Sequence, residues 1–250
     1  MPTSHRVSLR ALPSNPMQIL NGTSGYSYKE WKGRFYPEKM KDAEMLGFYA
    51  GRFPTVEINN TFYRMPAPDL LRKWGEQTPD GFTFVLKAPQ RITHHRRLAD
   101  VDGDVSYFFE TAAALGGKLG PILFQLPPYM KKDLDRLKAF LALLPAAPRA
   151  AFEFRHASWF DEEVRQALRD KGAALCLADT DEEPLIDLAV TADWGYLRLR
   201  RTNYTEADVT AWADRVRAQP WDRAFVFFKH EDEARGPEFA ATFGARVSGR

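Results

Sequence analysis

Eight short apolar runs, each closed by polar residues and separated by helically patterned stretches, constrain this chain more than any other feature. The runs are Gln18–Asn21, Thr55–Asn59, Phe82–Lys87, Pro121–Gln125, Ala150–Arg155, Ala174–Asp179, Gly195–Arg200 and Ala224–His230. Their Val, Ile, Leu and Phe residues are continuous rather than alternating, the pattern of strands covered on both faces. Between them, Leu134, Leu137, Leu141 and Leu144 recur at helical spacing, with Lys131, Lys132 and Arg136 on the solvent side. Ser158, three residues before Asp161, reads as an imperfect capping box ahead of Phe160, Val164 and Leu168. Thr205 and Asp208 repeat the device before Val209, Trp212 and Val216. Strands alternating with helices pair in parallel through right-handed crossovers. Eight such units, with no linker or internal repeat, predict an α/β fold: a single-domain (β/α)8 TIM-like barrel over residues 19–250. A doubly wound open sheet is the alternative, but Gly22-Thr23-Ser24-Gly25 is no G-x-G-x-x-G turn.

The composition fits a packed domain. Apolar residues make up 44% of the 250, enough to bury a core, so bulk disorder is excluded. Lys and Arg number 35 against 33 Asp and Glu, a net charge of +2. Any attraction for charged partners must therefore come from local patches. The one cysteine, Cys176, forms no internal disulfide and reads as a core thiol, pointing to a reducing, cytoplasmic setting. No apolar run reaches the ~18 residues of a membrane span. Residues 1–18, with Pro2, Pro13 and Pro16, lack the apolar stretch of a secretion leader and are expected to form a short flexible extension.

Barrel sites lie at the C-terminal ends of the strands, so the polar residues there are the candidates for chemistry. They are Glu57 and Asn59, Lys87, Gln125, Glu153 and Arg155, Asp179, Arg198 and Arg200, and Lys229. Glu57, Lys87, Glu153 and Asp179 are the candidate catalytic groups. Residues two apart share one side of a strand, so Glu57/Asn59, Glu153/Arg155 and Arg198/Arg200 each point the same way. The reading next to this one is a set of structural ion pairs in the lumen. Glu57 and Lys87, on adjacent strands, are expected to pair at the pocket floor, since neighbouring strands lie about 4.8 Å apart.

The loops beyond these ends add Tyr26, Tyr28, Trp31, Phe35, Phe62, Tyr63, Tyr129 and Trp159, and the basic run Arg91-Ile92-Thr93-His94-His95-Arg96-Arg97. Phe35 and Phe62 read as core; Tyr26 and Tyr63 can be core or stacking platforms. With Lys87, Arg155, Arg198 and Lys229, the basic loop predicts a local cationic well for phosphate or carboxylate, completed by His94 and Gln125. No Walker loop, G-x-S-x-G, H-E-x-x-H or CxxC occurs, and no metal ligand set or cofactor is assigned.

At these residues the chain resembles the DUF72 family of YecE-like proteins. The resemblance rests on Gly22-Thr23-Ser24-Gly25-Tyr26-Ser27-Tyr28 with Trp31, Phe35-Tyr36-Pro37, and Thr55-Val56-Glu57-Ile58-Asn59 with Thr61-Phe62-Tyr63-Arg64. It continues through Lys87 with Thr93-His94, Leu123-Phe124-Gln125-Leu126-Pro127-Pro128, and Glu153-Phe154-Arg155-His156 with Ser158-Trp159. It implies a TIM-like barrel from about residue 19 onward and no particular reaction. Arg198-Leu199-Arg200-Arg201 departs from the Arg-Leu-His-Gly common in that family. The leading expectation is an enzyme, such as a hydrolase, acting on a phosphate-bearing substrate (nucleic acid or nucleotide) at the mouth. The alternatives are a glycoside hydrolase using Glu57 and Glu153, or a non-catalytic module for an anionic ligand or RNA. No membrane partner is expected.

Overall fold

The computed structural model describes residues 16–182, 188–230 and 232–249. The expected extension over 1–18 lies almost entirely outside the described residues, and Gln18 already belongs to the first strand. Eight strands follow: β1 (Gln18–Thr23), β2 (Thr55–Ile58), β3 (Thr83–Lys87), β4 (Leu119–Gln125), β5 (Ala150–Glu153), β6 (Ala174–Asp179), β7 (Trp194–Leu199) and β8 (Arg223–Phe228). All pair in parallel, in the order β1-β8-β7-β6-β5-β4-β3-β2, and wrap into a barrel. Lys87, Gln125, Glu153 and Lys229 all stand at its C-terminal end. Strands β2, β5, β7 and β8 stop one or two residues before the expected polar ends. Asn59, Arg155, Arg200 and Lys229 therefore sit on backbone already leaving the sheet.

The helices are α1 (Met45–Ala50), α2 (Pro68–Glu76), α3 (Asp102–Ala112), α4 (Leu134–Leu143), α5 (Glu162–Lys171), α6 (Glu206–Arg217) and α7 (Arg235–Val247). The expected eight-fold alternation is broken once: among the described residues no helix joins β6 to β7. Helix α4 turns Leu137, Phe140 and Leu141 inward, and the Phe140 ring meets Phe124 and Phe152 of the sheet edge-on. Burying each such side chain contributes about 1.5–3 kcal/mol. The cap of α5 differs from expectation: Asp161, not Ser158, accepts the Val164 N–H at 3.0 Å. A carboxylate is the better group there, since it also faces the positive end of the helix dipole. Ser158 instead accepts the backbone N–H of Lys132. At α6 the anticipated box forms, with Thr205 and Asp208 capping each other's backbone N–H.

Two apolar bodies result. A large one lies between the sheet and the helices. A smaller one fills the lower lumen with Leu20, Val85, Leu123, Ala151, Ala174, Cys176, Trp194, Tyr196, Phe225 and Phe227. The lumen is therefore a packed floor, and inward residues above it are polar.

The barrel closes differently at one place. Strands β1 and β2 share no ladder, only an isolated bridge between Ser24 and Glu57. The Tyr49 hydroxyl inserts between them, accepting the Thr23 N–H at 2.8 Å and donating to the Thr55 carbonyl at 3.1 Å. The backbones approach so closely that a β-carbon on Gly22 would stand 2.1 Å from the Thr55 carbonyl oxygen, so the position requires glycine.

Candidate functional site

The mouth is organised around Arg198, which is 1% exposed and continues the inward side of β7 above Trp194 and Tyr196. Its guanidinium holds both glutamates of the lumen. Nη2 donates to Glu57 Oε1 at 2.9 Å and Nη1 to Glu153 Oε2 at 2.5 Å. The Ser24 hydroxyl, at 2.7 Å, and the Tyr196 hydroxyl, at 2.6 Å, complete the shell of Glu57. Asn59 links Glu57 and Arg198 by longer contacts of 3.3 and 3.4 Å. Arg155 Nε donates to the second oxygen of Glu153 at 2.8 Å and keeps a quarter of its side chain exposed. Burial pushes both carboxyl pKa values up, but Arg198 and the donors outweigh it. Glu57 falls below its ordinary value, and Glu153 falls to about 2. Both are ionised at neutral pH.

Glu57 does not pair with Lys87, contrary to expectation. Arg198 reaches it from across the lumen, its Nε and Nη2 both donating to Glu57 Oε1 at 3.2 and 2.9 Å, while Tyr196 occupies the other oxygen. Lys87 turns sideways: its Nζ donates to Gln125 Oε1 at 2.7 Å and lies 4.0 Å from the centre of the Phe62 ring. Desolvation and the nearby Arg198 lower its pKa to about 8, against the opposing pull of Glu153 and Glu57. Phe62 is thus both buried, as expected, and a wall of the site. The His94 imidazole meets its ring edge-on at 4.9 Å. Burial, Lys87 and Arg155 hold that imidazole down to about 4, so it is neutral at pH 7. His94 lies in a single π-helical turn, Arg91–His95. The same loop then carries Arg97, Leu98 and Asp100 in the left-handed region, a strained backbone of the kind found at functional sites.

Arg200 follows Arg198 at the rim; burial and Arg198 lower its pKa, and it makes no ion pair with any described residue. Lys229 leaves β8 at the same end, its N–H donating to Leu199. Tyr63, 74% exposed, and Tyr129, 64% exposed, stand on loops of this face. Tyr26 is not with them: its ring packs against Tyr49 and the outer core.

Asp179 is not brought to the other candidates. On β6 the residues Ala174 and Cys176 face the lumen, so Asp179 faces the helices. Its Oδ2 accepts from Arg201, Tyr204 and Trp212 at 2.9–3.0 Å. A separate cleft of about 370 Å³, lined by Asp179, Arg201, Asp208 and Arg215, lies beside it. Ser24 and Tyr196, which complete the Glu57 shell, were not among the sequence candidates. Tyr196 carried a signal, two residues before Arg198 on the same side. Among the described residues no three His, Cys, Asp or Glu side chains gather as a metal set. No helix among them is long and apolar enough to cross a membrane.

Fold and site together define a (β/α)8 barrel with a cationic, polar C-terminal mouth. The chain belongs to the family described as "Protein of unknown function DUF72", which it matches over residues 20–250. It is 31% identical over 138 residues to the UPF0759 protein YecE of Escherichia coli (strain K12), 53% of this chain and 51% of that protein. With the UPF0759 protein YunF of Bacillus subtilis (strain 168) it shares 32% identity over 134 residues, 50% and 47% of the two chains. The chain spans about half the length of the curated relatives it matches. A crystal structure of a DUF72 family protein from Thermotoga maritima superposes with a TM-score of 0.81 at 25% identity, covering 92% of this chain and 99% of that one.

Proposed function

We propose that the mouth binds a phosphate-bearing ligand and is the reaction centre of an enzyme acting on it. One observation carries this reading. Arg155, Arg198, Arg200 and Lys87 converge on two carboxylates, both of which already grip Arg198. Burial, and then repulsion from Arg198 and Arg155, lower the pKa values of Lys87 and Arg200, and these four cations outnumber the two carboxylates. An anion bound there would relieve that repulsion and find guanidinium forks suited to phosphate oxygens. Exposed Tyr63 and Tyr129 offer stacking surface for a base or sugar on the same face. A single buried thiol suits a reducing compartment such as the cytoplasm.

Glycoside hydrolysis is less well supported. It needs one carboxyl group kept protonated as a general acid, whereas Arg198 holds both Glu57 and Glu153 ionised. The test is calorimetric titration with inorganic phosphate, pyrophosphate and a nucleoside monophosphate at low and high salt. Salt-sensitive binding that weakens in Arg155→Ala and Arg200→Ala is expected. Undetectable binding of all three at low salt overturns the reading.

A further inference from the structure

Resting on the phosphate reading of the mouth, we propose that Lys87 is an amine nucleophile that forms an imine with the carbonyl carbon of a phosphorylated aldehyde or ketone. The substrate class follows from two kinds of group on one rim: guanidinium groups suited to phosphate, and a primary amine that makes no ion pair with any described residue. Lys87, Gln125 and Glu153 end the neighbouring strands β3, β4 and β5. The strand of Lys87 is thus two spacings, about 10 Å, from the strand that leads into Arg155. Both side chains are long enough to approach one small ligand from opposite ends.

The environment of the amine separates it from a simple anion-binding lysine. The buried Arg198 sits between carboxylates, and the surface lysines Lys32 and Lys132 each have an acidic partner, whereas Lys87 is half-buried. Lys87 makes no ion pair with any described residue. Its charged neighbours are Arg198, Arg155, Glu153 and Glu57, with neutral His94 nearby. One N–H is oriented by the Gln125 carbonyl, and an apolar ring forms the near wall. Desolvation beside other cations is a recognised way to activate a lysine nucleophile. At pH 8 about half of the Lys87 side chains carry a free lone pair, against roughly one in a few hundred for an ordinary lysine.

The step balances without an oxidant or reductant. The Nζ lone pair forms a bond to the carbonyl carbon while the C=O π pair moves to oxygen, which takes up a proton as nitrogen releases one. The resulting carbinolamine loses its hydroxyl as water after a second protonation, and the nitrogen lone pair closes the C=N bond. Neutral amine, carbonyl and one proton thus give iminium and water.

Reductive trapping tests this. The full chain is incubated separately with glyceraldehyde 3-phosphate, dihydroxyacetone phosphate, and their unphosphorylated counterparts, each with cyanoborohydride, and adducts are located by intact mass and peptide mapping. A single adduct on Lys87 is expected, forming faster as pH rises toward 8. The phosphorylated compounds should react at least about tenfold faster, the gain from one charged anchor. Lys87→Arg and Lys87→Met, checked for folding by circular dichroism, should lose the adduct. Adducts scattered over surface lysines, or unchanged in either variant, overturn the proposal. Equal rates with and without phosphate overturn the substrate class. Calorimetric phosphate binding with no trapping at Lys87 refutes the nucleophile while leaving the phosphate reading intact.

Discussion

The barrel buries two sets of acids beside arginines, and the two do different things. In the lumen, Glu57 and Glu153 share one arginine, with further cations left above them. Behind β6, the single carboxylate of Asp179 receives donors from Arg201, Tyr204 and Trp212. The first set is a scaffold that holds Arg198 upright above the packed floor of the lumen. The second is a clamp tying the end of β6 to α6 and the loop after β7. One residue of strand parity separates these fates, because Asp179 follows Ala178 rather than standing in its place. A strand-end acid is therefore a site candidate only after its side of the strand is known.

Arg198→Met is the strongest test of this contrast. It leaves buried Glu57 with no arginine and Glu153 with Arg155 alone, and is expected to destabilise the fold by about 3–5 kcal/mol in chemical denaturation. Arg201→Ala should lose only about 1 kcal/mol, since Asp179 keeps its tyrosine and tryptophan donors and Arg201 is one-third exposed. Equal losses would erase the distinction between scaffold and clamp.

Arg155→Ala sharpens it from the other side. Glu153 keeps Arg198, so the melting temperature should barely move. Phosphate affinity should fall by about 1.5–3 kcal/mol, read by calorimetry. A large stability loss with unchanged affinity would make Arg155 part of the scaffold. For Asp179→Asn the pattern reverses: a stability loss of about 1–2 kcal/mol and no change in phosphate binding. Weakened binding there would join the two regions into one site.

The pH dependences of the two charged groups have opposite origins. Glu153 titrates near 2 in the folded chain and near 4.5 when unfolded, so its contribution is complete above about pH 4.5 and is lost as pH falls toward 2. Lys87 titrates near 8 when folded and 10.5 when unfolded, so the unfolded chain binds the extra proton between those values. Stability from this group therefore rises from pH 8 to 10.5. Saturating phosphate should flatten that rise by favouring the charged amine, and denaturation midpoints across the range measure it.

Much of this was legible in the residues. Continuous apolar runs ending in polar side chains located all eight strands and the end of the barrel where their polar residues gather, because doubly covered strands leave their polar groups nowhere else to go. Asp179 departs from the group because a strand end alone does not fix the side a residue faces; parity does, and Ala174 and Cys176 mark the inward side of β6. The partner of Glu57 was missed for a different reason. Neighbouring strands are close in space, but an arginine from the far wall brings several donors to Glu57 and Glu153 at once, and cross-lumen reach is not written in local spacing. Nothing near Tyr49 marked its hydroxyl as part of the strand pairing, since that role exists only once β1 and β2 face each other.

Tyr49 also gives the cylinder its mechanical character. Seven joints around the hoop are backbone ladders, and the eighth is a latch made largely of one phenol. One substitution that removes this hydroxyl therefore weakens the joint and leaves the seven ladders untouched. The same joint runs past Ser24 and the Gly25 N–H on one lip and Glu57 on the other, bonded at 2.7 and 2.8 Å. Any widening of the hoop therefore loosens the grip on Glu57 before it disturbs Glu153 on the opposite arc. Tyr49→Phe, which removes the latch and keeps the ring, turns that asymmetry into faster amide hydrogen exchange at Thr23 and Gly25 than along β5.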